Sequence, residues 1–142
     1  MMLRSKGMIV SSLCAVVALS GCQTTKGGPS SGFFGSGKPS ASATFISALQ
    51  GGIVGRTGVE LSDSDKQRAL EAEYRALEGA GVGQPVVWSG RNVSGKVIAA
   101  APYQVGSQNC RQYTHTLTVE GKETVARGSA CRNDDGSWSP LG

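Results

Sequence analysis

The chain has 142 residues, which is room for one small domain with tails. Charged residues make up 17% and aromatic residues 6%, while 21 residues are glycine, which argues against a large packed core and against a highly charged disordered protein. The net charge of +4 is not gathered into one basic run, so no nucleic-acid partner is expected, and one histidine with four cysteines leaves little for a metal site.

The N-terminus has the features of a secretory signal peptide. Arg4 and Lys6 flank the start of a run of apolar and small residues, 7–19, that is too short to span a bilayer permanently. The run ends in Leu-Ser-Gly-Cys at residues 19–22, which resembles the lipobox of bacterial lipoproteins. We therefore predict a lipoprotein signal peptide over residues 1–21; the alternative is an ordinary signal peptide followed by a chance cysteine.

Cys22 is the predicted site of lipid attachment. A thiol at the membrane interface can be alkylated by a diacylglyceryl group, and cleavage before it frees an amine for a further acyl chain. One acyl chain binds a membrane only marginally, so two or three chains make a lasting anchor. Gln23 stands where an aspartate would favour retention in the inner membrane. The resemblance to bacterial lipoproteins therefore implies the outer membrane as the location, and the covalent lipid is the only cofactor expected.

Two segments of unusual composition follow. Residues 22–43 are rich in Gly, Ser, Thr and Pro and predict a flexible tether, because they hold too little apolar surface to offset the entropy of ordering. In residues 44–60 small residues continue a spacing of four that runs from Ala43 to Gly51 and Gly55 and would form one stripe on a helix. We expect a short helical segment there, which either docks on a helix or membrane surface or is only weakly stable because of its glycines.

An amphipathic helix is predicted next. Ser62 can cap its first turn, Asp65 can complete a capping box, and Gly79 is a natural stop. An apolar stripe at helical spacing predicts the buried face of this helix: Leu70, Tyr74 and Leu77.

After Gly79 the hydrophobic pattern changes to a period of two, which is typical of strands. Glycine-containing turns separate the apolar runs. The predicted strands are residues 85–88, 96–100, 110–119, 122–132 and 137–139. With the helix packed on one face they form a small antiparallel β-meander of four to five strands. The predicted fold class is α+β, and the predicted globular domain comprises residues 61–142.

Two cysteines test the register of one hairpin. If Glu120 and Gly121 form a two-residue loop, the numbers of paired residues sum to 241, and Cys110 lies opposite Cys131. That pair is not hydrogen-bonded, so its Cα atoms would be about 4.5 Å apart, at the short end of disulfide geometry. We predict a disulfide between Cys110 and Cys131. The alternative, a redox-active or metal-binding pair, lacks a Cys-x-x-Cys motif.

The same register assigns the faces of the hairpin. Tyr113 and His115 are predicted to face the helix, with the ring of Tyr113 covering Gly128. His115 is interpreted as a satisfied, half-buried side chain and not as a general base, because no acidic residue is close in sequence. Three arginines are interpreted as dispersed surface residues, with a basic patch as the alternative: Arg111, Arg127 and Arg132. Trp88 and Trp138 are interpreted as packing residues, with a binding platform as the alternative.

Several motifs carry a family resemblance. They are the lipobox ending at Cys22, the glycine-spaced segment, and residues 61–65, 83–88, 110–113, 128–132 and 135–138. Together they resemble the seventeen-kilodalton surface antigen family of bacterial outer-membrane lipoproteins. The resemblance implies an outer-membrane lipoprotein with a small α+β domain and no established enzymatic activity.

The functional prediction is a non-enzymatic outer-membrane lipoprotein and surface antigen, a membrane-tethered structural or interaction module. Its expected partner is an unidentified envelope protein or the cell wall, and no small-molecule substrate and no catalytic residue are predicted. The alternative is a small protease-inhibitor or ligand-binding lipoprotein, which a deep pocket or a protruding loop would favour. A third hypothesis, an enzyme built on His115, requires a carboxylate within hydrogen-bond reach of the ring in a cleft.

Overall fold

The computed structural model describes residues 41–142, so the predicted signal peptide, Cys22 and the tether up to residue 40 lie outside the described residues. The described residues form two α-helices, one 3₁₀ helix and an antiparallel sheet of six strands, consistent with the predicted α+β class. In chain order the elements are α1 (Ala41–Ala48), the 3₁₀ helix (Val54–Thr57), α2 (Asp63–Glu78), β1 (Pro85–Ser89), β2 (Val93–Ala99), β3 (Tyr103–Val105), β4 (Gln108–Val119), β5 (Lys122–Arg132) and β6 (Trp138–Pro140).

Helix α2 confirms the predicted amphipathic helix. The Ser62 hydroxyl accepts a hydrogen bond from the backbone N–H of Asp65 at 3.2 Å, so the helix begins where the capping signal places it, and Gly79 follows its last residue. The second half of the capping box differs from the prediction. The Asp65 carboxylate accepts from the Ser62 hydroxyl at 2.8 Å, and its other oxygen serves groups outside the first turn.

The sheet has six strands where four to five were predicted. Its order is β1-β2-β4-β5-β6, and β3 pairs with the first residues of β4. The pattern missed β3 because the strand has only three residues, which is shorter than the run of four or more that a period of two needs to be recognised. Pro102, directly before it, also reads as a strand breaker.

Strands β2 and β3 lie along the same edge of β4 with a bulge between them. Paired residue numbers sum to 212 between β2 and β4 and to 213 between β3 and β4. The backbone N–H of Ala100 still follows the first register, donating to Gln112 at 2.8 Å. One extra residue is therefore inserted between Ala100 and Tyr103, which is the definition of a β-bulge.

The predicted register of the β4–β5 hairpin is confirmed. Glu120 and Gly121 form a two-residue loop and both have positive φ, as a type I′ turn requires. Cys110 lies opposite Cys131. Tyr113 lies opposite Gly128, but the nearest neighbour of the space above that glycine is the side chain of Ile53, which packs there in place of the tyrosine ring.

The single small-residue stripe predicted between residues 43 and 55 is wrong. Helix α1 ends at Ala48, and Gln50, Gly51 and Gly52 follow with positive φ, so Gly51 and Gly55 lie beyond the helix. The segment instead contributes buried side chains to the same core as α2 and the sheet: Ile46, Leu49, Ile53 and Val54. The hydrophobic core thus extends N-terminal to the boundary expected at residue 61.

Helix α2 packs against one face of the sheet, where it contacts β1, β2 and β4. Tyr113 and Leu117 of β4 are buried on this face, as predicted, and Val119 packs at its margin. Phe45 of α1 stacks on Tyr74 of α2, with ring centroids 5.6 Å apart. Among residues 41–142 no helix combines the length and the apolar character needed to span a membrane.

Candidate functional site

The described domain has one buried ionisable cluster, and Glu73 is its centre. The Glu73 side chain is fully buried between α2 and the sheet. Its carboxylate accepts four hydrogen bonds, at 3.1 Å from the backbone N–H of Ile53, 2.8 Å from that of Val54, 3.2 Å from the Tyr113 hydroxyl and 2.8 Å from Nδ1 of His115. A buried carboxylate is tolerated when its lone pairs are used in this way.

Glu73 also serves as a cap for the 3₁₀ helix. Ile53 occupies the N-cap position of that helix and has no capping side chain of its own. The two free N–H groups at this end, from Ile53 and Val54, point to the Glu73 carboxylate. One side chain of α2 therefore holds the segment N-terminal to it against the sheet.

His115 is neutral in this arrangement, and its tautomer follows from its partners. Its Nε2 is 2.9 Å from Nε1 of Trp88, and an indole N–H can only donate, so Nε2 accepts and carries no proton. The ring proton is therefore on Nδ1, which donates to Glu73. Both ring nitrogens are used and the ring is fully buried, deeper than the half-buried position predicted. The carboxylate that the enzyme hypothesis requires is present, but it does not lie in a cleft.

Burial is the main cause that raises the pKa of Tyr113, and the charge of Glu73 is the next. A raised pKa keeps the phenol protonated, so its hydroxyl remains a donor to the carboxylate. Two glycines make the close packing of this cluster possible. A Cβ at Gly95 would overlap the Trp88 indole, and a Cβ at Gly52 would overlap the Glu73 carboxylate.

Sequence reasoning missed Glu73, although its spacing contains a signal. It lies three residues after Leu70 and four before Leu77, which places it within the apolar stripe of α2. Ala69, Ala72 and Ala76 surround it on the helix and are fully buried. A lone carboxylate at the centre of such a stripe predicts a buried, partnered group.

Arg111 is not the dispersed surface arginine that was predicted. It is buried, and its guanidinium closes the C-terminal end of α2. Nη1 donates to the carbonyls of Ala76 (3.1 Å), Leu77 (2.9 Å) and Ala80 (3.1 Å), while Nε donates to Ala100 at 2.8 Å. A cation here also meets the negative end of the helix dipole.

A second arginine reaches the same end of α2. Arg132 of β5 binds Glu78 through Nε and Nη2, each at 3.0 Å, and Trp138 Nε1 donates to the same carboxylate at 2.7 Å. The Arg132 hydrogen bond is the main cause that lowers the pKa of Glu78. Arg127 instead projects from the opposite face of the sheet, beside Thr114, so the three arginines do not form one basic patch. Trp88 and Trp138 are both buried packing residues, as predicted, with their N–H groups bonded.

Cys110 and Cys131 are joined by a disulfide, with their Cα atoms 3.9 Å apart. Each cysteine directly precedes one of the two arginines that bind α2, Arg111 and Arg132. Because side chains alternate along a strand, the cysteines lie on the opposite face of the sheet from those arginines. The disulfide thus fixes the register that places both arginines at the end of the helix.

An open groove of about 780 Å³ lies between the first turn of α2 and the β1–β2 loop. Asp65 forms part of its wall; the carboxylate accepts from Arg68 Nη1 at 2.9 Å and from the backbone N–H of Arg91 at 3.3 Å. The Ser62 hydrogen bond is the main cause that lowers the pKa of Asp65. Within residues 41–142 no cluster of three or more His, Cys, Asp or Glu side chains could hold a metal ion.

Part of this domain is similar to known proteins. Residues 75–139 match the family model described as 17 kDa outer membrane surface antigen. The resemblance to the 17 kDa surface antigen family is confirmed. The matched segment includes Trp88, Tyr113 and His115 of the buried cluster and both cysteines, and it begins two residues after Glu73.

Curated 17 kDa surface antigens from several Rickettsia species are similar to this chain. The protein from Rickettsia bellii is 37% identical over 84 residues, which is 57% of this chain and 53% of that protein. The protein from Rickettsia conorii is 36% identical over 81 residues, 55% of this chain and 51% of that protein. This chain therefore spans about half the length of the curated relatives it matches, and no solved structure matches it.

Proposed function

We propose that the protein is an outer-membrane lipoprotein, anchored by lipid on Cys22, that acts as a membrane-tethered structural or interaction module and not as an enzyme. The lipobox-like sequence at residues 19–22 supports the anchor. The names of the family and of its relatives, surface antigens, support a location at the outer membrane and a non-enzymatic role. On this proposal the lipid is the only cofactor, the partner is an envelope protein or the cell wall, and neither nucleic acid nor a small-molecule substrate is bound.

The observation that carries the non-enzymatic part is the state of the only histidine in the sequence. His115 is fully buried and bonded at both nitrogens, so its ring has no free position for a substrate proton. The Glu73 carboxylate is likewise filled by four donors. These groups hold α2 and the 3₁₀ helix on the sheet, which leaves the opposite face of the sheet for contacts with a partner.

Substitution of the predicted anchor residue tests the proposal in cells. Cys22→Ala in the full chain should lose incorporation of an alkyne-labelled fatty acid and leave the outer-membrane fraction, because no acceptor for the diacylglyceryl group remains. Cys14→Ala is the matched control, since that cysteine lies within the predicted signal peptide. A Cys22→Ala protein that still carries the label would overturn the assignment of the anchor.

The groove at the start of α2 favours a second candidate, a ligand-binding lipoprotein. Its volume is in the range of small-ligand sites, and Arg68 and Arg91 line it. Titration of the ¹⁵N-labelled chain with a soluble peptidoglycan digest tests this candidate. Saturable amide shifts at Ser64 and Arg91, absent at exposed Val87, would support binding in the groove; a spectrum unchanged by the digest would count against it.

A further inference from the structure

Strand β5 is covered along only part of its outer edge. Strand β6 pairs with Ala130, Cys131 and Arg132, and the backbone N–H of Leu141 donates to the carbonyl of Ser129 at 2.9 Å. From there back to Lys122 no strand among residues 41–142 pairs with this edge. An uncovered edge is a template for another strand unless side chains prevent pairing.

The backbone groups available on this edge belong to three residues. In an antiparallel ladder successive residues direct their N–H and C=O groups alternately to the two neighbouring strands. Ser129 directs its carbonyl away from β4, to Leu141. Residues two, four and six positions before Ser129 therefore direct their N–H and C=O groups to the open edge. These are Glu123, Val125 and Arg127. All three side chains are exposed, and Val125 keeps 49% of its surface accessible.

These three residues of one copy are complementary to the same three residues of a second copy that runs antiparallel to it. In an antiparallel pair centred on Val125, Glu123 lies opposite Arg127 of the second copy, and Arg127 lies opposite its Glu123. The two valines face each other, and each of the three residue pairs can exchange two backbone hydrogen bonds. Residues of opposite charge are favourable cross-strand pairs, and valine is a residue that fits well in a strand. We propose that two copies of this chain associate edge to edge along residues 123–127 of β5, with the two-fold axis at Val125.

The edge of β1 at the other side of the sheet lacks these properties. Val87 is 68% exposed there, and the corresponding pairing would be centred on it. That pairing places Ser89 opposite Pro85 of the second copy, and proline has no N–H to donate. It also brings no pair of opposite charges together. The β1 edge therefore supplies a matched control within the same sheet.

Disulfide trapping tests the proposed two-fold axis. Val125→Cys in the full chain, oxidised mildly in isolated membranes, should form a dimer on a non-reducing gel, because hydrogen-bonded partners have Cα atoms roughly 5.5 Å apart, within disulfide range. Val87→Cys is the control, and the wild-type chain reports any dimer formed through its own cysteines. We expect about five times more dimer from Val125→Cys than from Val87→Cys, which corresponds to about 1 kcal/mol. Equal trapping by both variants, or capture of a different protein by the Val125→Cys chain without any dimer, would overturn the proposal.

Charge exchange separates specific pairing from random collision. Arg127→Glu added to the Val125→Cys chain should reduce the dimer severalfold, because it places two carboxylates opposite each other. Further addition of Glu123→Arg restores opposite charges and should restore the dimer. Failure of the double exchange to restore it, with circular dichroism showing a folded domain, would contradict the register.

A proline at the centre gives a second measurement. The Val125 N–H is not bonded to β4, so Val125→Pro removes a donor needed only between copies. Light scattering of the purified full chain in detergent should show a dimer for the wild type and a monomer for Val125→Pro, with both proteins melting similarly. A wild-type chain that is monomeric at every concentration would overturn the proposal, whatever the state of its lipid anchor.

Discussion

Glu73 and His115 are 42 residues apart in the sequence, and their side chains are 2.8 Å apart in the folded domain. This contact joins α2 to β4, where Tyr113 adds a second hydrogen bond to Glu73, and Trp88 extends it to β1. Each member satisfies the next, so removing one leaves a buried partner without a hydrogen bond. The stability of the domain is therefore expected to depend on a few polar side chains as well as on apolar packing.

Glu73→Gln should destabilise the domain by about 2–4 kcal/mol. The amide group of glutamine turns N–H donors toward one of the two backbone N–H groups, of Ile53 or Val54, so at least one buried hydrogen bond is lost and two donors face each other. Urea denaturation followed by circular dichroism measures the change. Glu71→Gln on the same helix is the control and should stay within about 0.5 kcal/mol of wild type. Equal effects of the two substitutions would contradict the central role of Glu73.

The tautomer of His115 can be observed directly. Long-range ¹H–¹⁵N spectra of the folded protein should show one protonated ring nitrogen, Nδ1, and one unprotonated nitrogen, Nε2, because the Trp88 N–H can only donate. Trp88→Phe removes that donor and should move the Nε2 resonance. A proton found on Nε2 in the wild-type protein would show that the Trp88 hydrogen bond is absent.

Arg111→Lys should destabilise the domain by about 2–3 kcal/mol, although the charge is kept. A single ammonium cannot reach the carbonyls of both the α2 C-terminus and Ala100. Hydrogen exchange should also accelerate at Gly79 and Ala80, which follow the helix. Arg91→Lys on the exposed β1–β2 loop is the control. An Arg111→Lys protein with unchanged stability and unchanged hydrogen exchange would show that other contacts hold the C-terminal end of α2.

The ionisation of Glu78 is expected to make the stability of the domain depend on pH in the acid range. Its folded pKa is lowered, mainly by the Arg132 hydrogen bond, so its ionised form stabilises the fold. This contribution is fully present above the pKa of the unfolded chain and is lost as the pH falls through the folded pKa. The stability gap between wild type and Glu78→Gln should therefore narrow as the pH is lowered from about 6 to about 3. Urea denaturation followed by tryptophan fluorescence measures the stability of both proteins at each pH, and a gap that does not change with pH would refute the assignment.

The disulfide is expected to contribute about 3 kcal/mol by closing a loop of some twenty residues. The double substitution Cys110→Ala and Cys131→Ala should therefore lower the urea midpoint. It should also loosen the end of α2, since Arg111 and Arg132 adjoin the two cysteines. Mass spectrometry of the alkylated wild-type protein is the prior check, and two free thiols would remove the basis of the prediction.

Local signals account for what could be predicted from the sequence. The start of α2 follows from Ser62, and the β4–β5 register follows from the two-residue loop at Glu120 and Gly121 together with the spacing of Cys110 and Cys131. These features depend on neighbours in the chain or on one turn. They can therefore be predicted without knowledge of the rest of the fold.

The buried cluster could not be predicted in the same way. Glu73 and Arg111 are charged residues whose burial depends on partners from other elements, 42 residues away for His115 and 34 for Leu77. Composition assigns such residues to the surface, which is the correct expectation for most of them. The path of residues 49–54 was missed for a related reason, because a turn of positive-φ residues interrupts a pattern that continues in the sequence.

The bulge between β2 and β3 determines which side chains the outer face of the sheet displays. In the register of β2, Tyr103 and Val105 would lie on the side of α2, but the extra residue places Tyr103 opposite Cys110, over the disulfide. Deletion of one residue from this linker would turn both side chains under the sheet and bring Gln104 outward. Such a deletion would change the side chains displayed on the outer face and would place Tyr103 and Val105 on the same side of the sheet as α2.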